Sequence, residues 1–162
     1  MAKKEKTEEK GVTKNKSLKK DYIYALGRRR EAVARVRFYP KSQTEVVLDE
    51  KKLQPGEIIV NGQPIAQYFF GEIAKVKYEG PLHITSMLGK CIVTVVVSGG
   101  GKGGQLDAIV HGIARAIVKH DKERFQSILK KKGFLTRDPR AKERRKVGTG
   151  GKARRKKQSP KR

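Results

Sequence analysis

One seven-residue run, Cys91-Ile92-Val93-Thr94-Val95-Val96-Val97, constrains the fold most. It is almost continuously β-branched, as expected of the buried central strand of a sheet. Ser98-Gly99-Gly100-Gly101-Lys102-Gly103-Gly104 follows as a loop, and then the period changes. Leu106, Ile109, Val110, Ile113 and Ile117 recur at helical spacing and make one apolar face, with Asp107, His111, Arg115 and Lys119 on another. Asp121 is placed to cap a second helix, with Phe125, Ile128 and Leu129 facing inward. Gly133 fits its stop, with Phe134 as the apolar contact beyond it.

The first half is strand-rich. Tyr22 to Leu26 reads as a strand, interrupted by Gly27-Arg28-Arg29-Arg30-Glu31. Ala32 to Tyr39 reads as the next, with Ala34, Val36 and Phe38 on one face and Arg35 and Arg37 on the other. Pro40 ends it. Glu45 to Leu48 suggests a short strand, and Asn61-Gly62 is the signal of a tight hairpin. Ile65 to Phe70 reads as a helical turn closed by Gly71, and residues 72–89 are ambiguous. The order predicts one α+β domain over residues 21–136.

Charge separates this domain from its flanks. The chain of 162 residues carries 40 Lys+Arg against 16 Asp+Glu, a formal net charge of +24. Residues 1–20 hold eight Lys and three Glu, and residues 137–162 hold 13 basic residues and two acidic ones. Neither end has the apolar surface to offset chain entropy, so both are expected to be disordered without a partner. They are read as a basic extension (1–20) and an extended basic tail (137–162), kept flexible around Gly148, Gly150 and Gly151. A charge this large calls for a polyanion, and nucleic acid leads. A membrane surface ranks low, because the most basic stretches lack large apolar residues. No run approaches the ~20 apolar residues that span a bilayer. The first 20 residues have no apolar block of a secretory signal, and the single Cys91 permits no internal disulfide. Cys91 is expected to be a small buried hydrophobe in a reducing cytoplasmic location.

Chemistry finds little support. Gly99, Gly101 and Gly104 satisfy G-x-G-x-x-G after a strand and before a helix. A dinucleotide site needs a further strand ending near an acidic residue, but a second helix and the basic tail come next. Lys102 is followed by Gly103 rather than Ser or Thr, so the loop is no P-loop either. The alternatives are a plain flexible turn and, as favoured here, a loop whose bare backbone at Gly100 and Gly103 approaches phosphate beside Lys102. Arg28, Arg29 and Arg30 are either a solvated basic turn or a set of forked phosphate contacts. His83, His111 and His120 lie in no metal-binding spacing, so neither metal nor cofactor is expected. His111 shares a helix face with Arg115, as a packing histidine or an RNA contact. Lys152 to Arg162 is the densest charge, readable as a localisation signal, a non-specific polyanion tail or an RNA contact.

Several motifs then resemble the universal small-subunit ribosomal protein S-nine family of bacterial type. They are Gly27-Arg28-Arg29-Arg30 with Ala34-Arg35-Val36, Val60-Asn61-Gly62 with Tyr68-Phe69, and Gly99 to Gln105 leading to His111-Gly112-Ile113-Ala114-Arg115-Ala116. Gly133 to Arg140, Glu143-Arg144-Arg145-Lys146 and Lys161-Arg162 complete the resemblance, over about residues 22–162. It implies the ribosomal S-five second-domain type of fold, a mixed sheet with helices on one side. It implies no enzyme, but a structural constituent of the small subunit that binds rRNA in the subunit head beside neighbouring head proteins, without homo-oligomers. The rRNA contacts it implies are Arg28, Arg29, Arg30, Arg35, Gly100, Lys102, Gly103, His111, Arg115, Arg137, Arg140, Arg144, Arg145, Lys146, Arg154 and Arg155. Lys161 and Arg162 would lie near the anticodon-loop backbone of peptidyl-site tRNA. Two departures stand out: the family gives no role to residues 1–20, and Ser159-Pro160 replaces its common aromatic-Ser before the last Lys-Arg.

Overall fold

The structure, a computed structural model, describes residues 22–40, 46–48, 51–145 and 147. The expected disorder of residues 1–20 and the tail beyond 147 lie outside the described residues. In chain order the elements are β1 (Ile23–Arg29), β2 (Ala32–Tyr39), β3 (Val46–Leu48), β4 (Lys51–Leu53), β5 (Ile58–Val60), β6 (Gln63–Pro64), α1 (Ile65–Tyr68), α2 (Glu72–Ile84), β7 (Ile92–Ser98), α3 (Lys102–His120) and α4 (Lys122–Lys131). Five strands form one sheet in the order β1-β2-β7-β5-β6, while β3 and β4 pair separately. Since β7 runs antiparallel to β2 and parallel to β5, the sheet is mixed. The α+β expectation holds.

The β-branched run does become the central strand, and its neighbours follow from register. Val93, Val95 and Val97 stand opposite Phe38, Val36 and Ala34 of β2, and all six are buried. This layer lies under α3, whose Leu106, Ile109, Ile113 and Ile117 are buried too. The opposite face is only partly covered: Ile92 and Thr94 are buried there, but its far end is open. Arg35 and Arg37 project there, and Val96 is 54% exposed. The continuous apolar run is thus buried as expected from Cys91 to Val97, with Val96 as the one exception. Cys91 is buried just before β7, where burial pushes its thiol up to about 11 and leaves it inert.

Turns and caps follow local chemistry. Asn61 and Gly62 have φ of 49° and 80°, the left-handed pair of a type I′ hairpin between β5 and β6. The Asn61 side chain also extends the β5–β7 ladder, its Nδ2 donating to the Val97 carbonyl at 3.0 Å and its Oδ1 accepting from the Val97 N–H at 2.9 Å. Asp121 caps α4, its carboxylate accepting from the Arg124 N–H at 3.1 Å. Gly133 (φ 77°) ends that helix: the Gly133 N–H reaches the Lys130 carbonyl and the Phe134 N–H the Leu129 carbonyl. That pair of bonds is the Schellman motif. Of the inward residues expected on α4, Leu129 is buried and Phe125 partly so, but Ile128 is exposed.

Three boundaries differ from the sequence reading. The ambiguous stretch is helix α2, which carries Gly80 and Pro81 in its interior. Gly80 serves a contact: a Cβ there would stand 3.3 Å from the Phe134 ring. Gly103 and Gly104 belong to the first turn of α3, not to the loop. And Gly27 does not interrupt β1, which runs on through Arg28 and Arg29 to a two-residue turn at Arg30 (φ 51°) and Glu31.

Candidate nucleic-acid interface

β1 is the edge of the sheet, so alternate backbone groups along it have no strand partner. Helix α3 supplies them. His111, Arg115 and Lys119 follow one another at four-residue spacing, one above the next on the helix surface. The Arg28 N–H donates to His111 Nδ1 at 3.5 Å, Arg115 Nη1 donates to the Leu26 carbonyl, and Lys119 Nζ donates to the Tyr24 carbonyl at 2.8 Å. The helix face that carries His111 and Arg115, both expected RNA contacts, thus also closes a sheet edge, blunting it against strand addition.

His111 is half-buried between that edge and the segment after α4. Burial holds its pKa below the ordinary value, the Arg115 guanidinium and Arg137 add to the depression, and a backbone bond at Leu135 opposes it. Because Nδ1 accepts from Arg28, the neutral ring carries its proton on Nε2. The folded chain resists protonation that the unfolded chain accepts near pH 6.5. Stability is therefore expected to be full above that value and to fall as pH drops from it toward the lower folded value. A urea-unfolding series across pH 5–8 checks this, and His111→Gln should flatten the profile.

Beside this edge the root of the tail is tied down. Arg29 Nη2 meets Asp138 Oδ2 at 2.9 Å, Nη1 donates to the Arg140 carbonyl at 2.9 Å, and Nε lies 3.7 Å from Asp107 Oδ2. Asp138 in turn accepts from Arg140 through Nε at 3.0 Å and Nη2 at 2.7 Å. The Arg140 side chain, its backbone N–H and Arg29 hold the Asp138 carboxyl well below the usual carboxylate range. Arg28, Arg29, Asp107, His111, Phe134 and Arg137 are among the residues around a hollow of about 170 Å³ at this corner. Sequence reasoning had no role for Asp138 or Asp107; the available signal was an acid standing alone between Arg137 and Arg140.

The open sheet face lies around the corner. Arg35, Arg37, Tyr24, Thr94 and Val96 line a hollow of about 500 Å³ there, and the Arg37 guanidinium sits 5.4 Å from the Tyr22 ring centre. Among the described residues, Arg28, Arg30, Arg35 and Arg37 have no carboxylate partner. Arg37 and Tyr24 were missed as candidates, although their alternation with the buried positions of β1 and β2 placed them with Arg35.

The glycine loop divides its work. Gly99 (φ 75°) and Gly100 (φ 61°) press on the β1–β2 turn, where a Cβ would come within 2.6 Å of the Glu31 carbonyl oxygen and 3.1 Å of the Ala32 Cβ. Gly101 and Gly103 face open space. Lys102 Nζ sits 3.3 Å from the centre of the Tyr68 ring, whose hydroxyl donates to Gln105 Oε1 at 2.9 Å. The nucleotide-like spacing thus has a packing reason at Gly99 and Gly100. No strand follows α3 among the described residues, and none of them forms a group of three or more His, Cys, Asp and Glu. Among them no helix is long and apolar enough to cross a membrane.

The expected contacts therefore fall into separate groups. Arg28, Arg29, His111, Arg115, Arg137 and Arg140 meet at the β1 end, with Arg30 at its turn and Arg35 on the open face. Gly100, Lys102 and Gly103 lie at the start of α3, and Arg144 and Arg145 are exposed beyond the root. Lys146, Arg154, Arg155, Lys161 and Arg162 lie outside the described residues.

A family model described as Ribosomal protein S9/S16 matches residues 27–162. The small ribosomal subunit protein uS9 of Maridesulfovibrio salexigens is 43% identical over 134 residues, which is 83% of this chain and 92% of that protein. The proteins of that name from Anaeromyxobacter sp. (strain K) and Anaeromyxobacter dehalogenans are each 43% identical over 126 residues, 78% of this chain and 86% of theirs.

Proposed function

Because the chain belongs to the ribosomal protein S9/S16 family and is a structural constituent of the small ribosomal subunit, we propose that its folded domain docks on rRNA of the subunit head. The segment beyond Arg140 then carries Lys161 and Arg162 to the anticodon-loop backbone of peptidyl-site tRNA. The observation that carries this reading is the β1 corner, where Arg28 and Arg137 border the anchored root of the tail, with Arg30 at the β1–β2 turn and Arg35 and Arg37 on the adjoining sheet face. Among the described residues Arg28, Arg30, Arg35 and Arg37 have no carboxylate partner. Guanidinium groups suit bidentate phosphate contacts and stacking on exposed bases. Lys102, with Gly103 open beside it, and Arg137, Arg144 and Arg145 extend the cationic surface. Neighbouring head proteins complete the partners, and the protein acts as a single copy.

The mechanism is positioning by charge, with no bond made or broken and no base read. Lys161 and Arg162 would hold tRNA phosphates and so help to keep the reading frame. Deleting these two residues is expected to leave folding and rRNA binding intact while tRNA leaves the peptidyl site faster. The salt dependence of tRNA binding should flatten by roughly 0.7 to 0.9 in log–log slope for each phosphate that is no longer neutralised. Equal tRNA retention and equal frame maintenance in particles with and without the two residues would reject the proposal.

A further inference from the structure

Arg29 stands apart from its neighbours in the basic triplet. Arg28 and Arg30 are exposed, but the Arg29 side chain is only 12% exposed and has two carboxylates, Asp107 and Asp138, within reach. Its position on β1 explains this. Arg29 pairs with Ala32 and shares the helix-covered face with Ala25 and Gly27, so its side chain turns toward α3 rather than toward solvent. There it has Asp107 on one side and the chain just leaving the domain on the other.

We infer that Arg29 is a positioning residue for the tail: it fixes the direction in which the chain leaves the domain and does not itself touch RNA. The inference rests on the proposed role of the tail. Two layers hold the root. The first is apolar: the Phe134 ring lies over Gly80 of α2, and Leu135 packs against the core. The second is polar and centres on Arg29, which joins Asp107 of α3 to the Asp138 carboxylate and the Arg140 carbonyl. Lys77 of α2 holds the other oxygen of Asp107 at 3.7 Å. A guanidinium can make these contacts together because its donors form a rigid planar fork, which a lysine ammonium lacks. Asp138, gripped by Arg29 and Arg140, is bent into a closed turn by its own neighbour. The carboxylates that occupy Arg29 leave it little charge to offer a phosphate. A tail rooted this way starts from one direction, which raises the effective concentration of its far end at a fixed target.

A double-mutant cycle separates the two roles of Arg29. The variants are Arg29→Ala, Asp138→Asn and the pair, made in the full-length chain. Asp138→Asn keeps a readable protein if Arg29→Ala unfolds, since Asp138 sits at the surface with 30% of its side chain exposed. Each single change is expected to speed amide exchange over residues 134–140 by about tenfold, as a local opening with unchanged global unfolding. The double variant should add nothing further. In reconstituted subunits the same variants should speed release of peptidyl-site tRNA together and equally. If Arg29 instead holds phosphate, Arg29→Ala weakens rRNA binding while Asp138→Asn, which frees the guanidinium, strengthens it; that result overturns the inference. Additive exchange effects, or coupled exchange with unchanged tRNA release, overturn it too. Failure of the reading beneath it shows separately, as unchanged tRNA release when Lys161 and Arg162 are deleted.

Discussion

Gly27→Ala is expected to cost about 3 kcal/mol, the upper end for overpacking a core, and to lower the melting temperature by roughly 10–20 °C. A Cβ at residue 27 would lie 1.9 Å from the Ala108 carbonyl oxygen and 2.5 Å from the Gly112 nitrogen. Both atoms are backbone of α3, so no rotamer change relieves the clash. The helix must lift from β1 or the strand must bend. Either movement strains the side-chain bonds that His111, Arg115 and Lys119 make to the same strand. Gly112→Ala should cost less. Its Cβ would come 2.6 Å from Val36 Cγ2, a side-chain atom, although one on a stiff β-branched residue. Gly103→Ala is the internal control: nothing lies within 4 Å of its Cβ, and in a helix the change should stabilise by about 0.5–1 kcal/mol. Thermal unfolding of the three variants checks the order. A Gly27→Ala melting point within a few degrees of the parent would show that the packing of β1 against α3 yields far more than its geometry allows.

This close approach also shows where sequence reading ended. Gly27 before three arginines reads naturally as a turn, since glycine permits turns and charge favours solvent. Whether a glycine bends the chain or admits a neighbour depends on what crosses it, and the crossing helix begins 75 residues later in the chain. Patterns that settle themselves locally were legible. The alternation in β2, the Asn61-Gly62 turn, the Asp121 cap and the stop at Gly133 each need only a few adjacent residues. The run Cys91 to Val97 gave the buried central strand correctly except at Val96, which stands exposed because what covers each face comes from elsewhere in the chain. Gly80-Pro81 obscured α2 for a similar reason: in isolation they argue against a helix, and tertiary contacts to Phe134 and the core override them. The site was legible in its charge and not in its allocation. Three arginines in a row look equivalent, yet strand pleat sends Arg28 and Arg29 to opposite faces, and carboxylates distant in sequence then occupy Arg29.

Allocation of charge leads to the last expected result, truncation of the chain after Arg140. The cut removes residues 141–162, which contain 11 Lys+Arg and one Glu, and keeps Asp138 and Arg140 with their bonds to Arg29. Thermal unfolding of the domain should therefore be unchanged, since the hydrophobic core and the root are intact. Binding to small-subunit rRNA should change greatly. If half of those cations neutralise phosphates, the slope of log affinity against log salt falls by roughly four to five, at about 0.7 to 0.9 for each phosphate. The fall in affinity must then be largest at low salt and shrink as salt rises, because the missing term is counterion release. A defect in shape complementarity would behave differently: it would lower affinity by a constant factor at every salt concentration. Filter binding from 50 to 500 mM KCl separates the two. A parallel, uniformly lowered line would mean that the segment works by fit; an unshifted line would mean that the folded domain alone carries the rRNA contact.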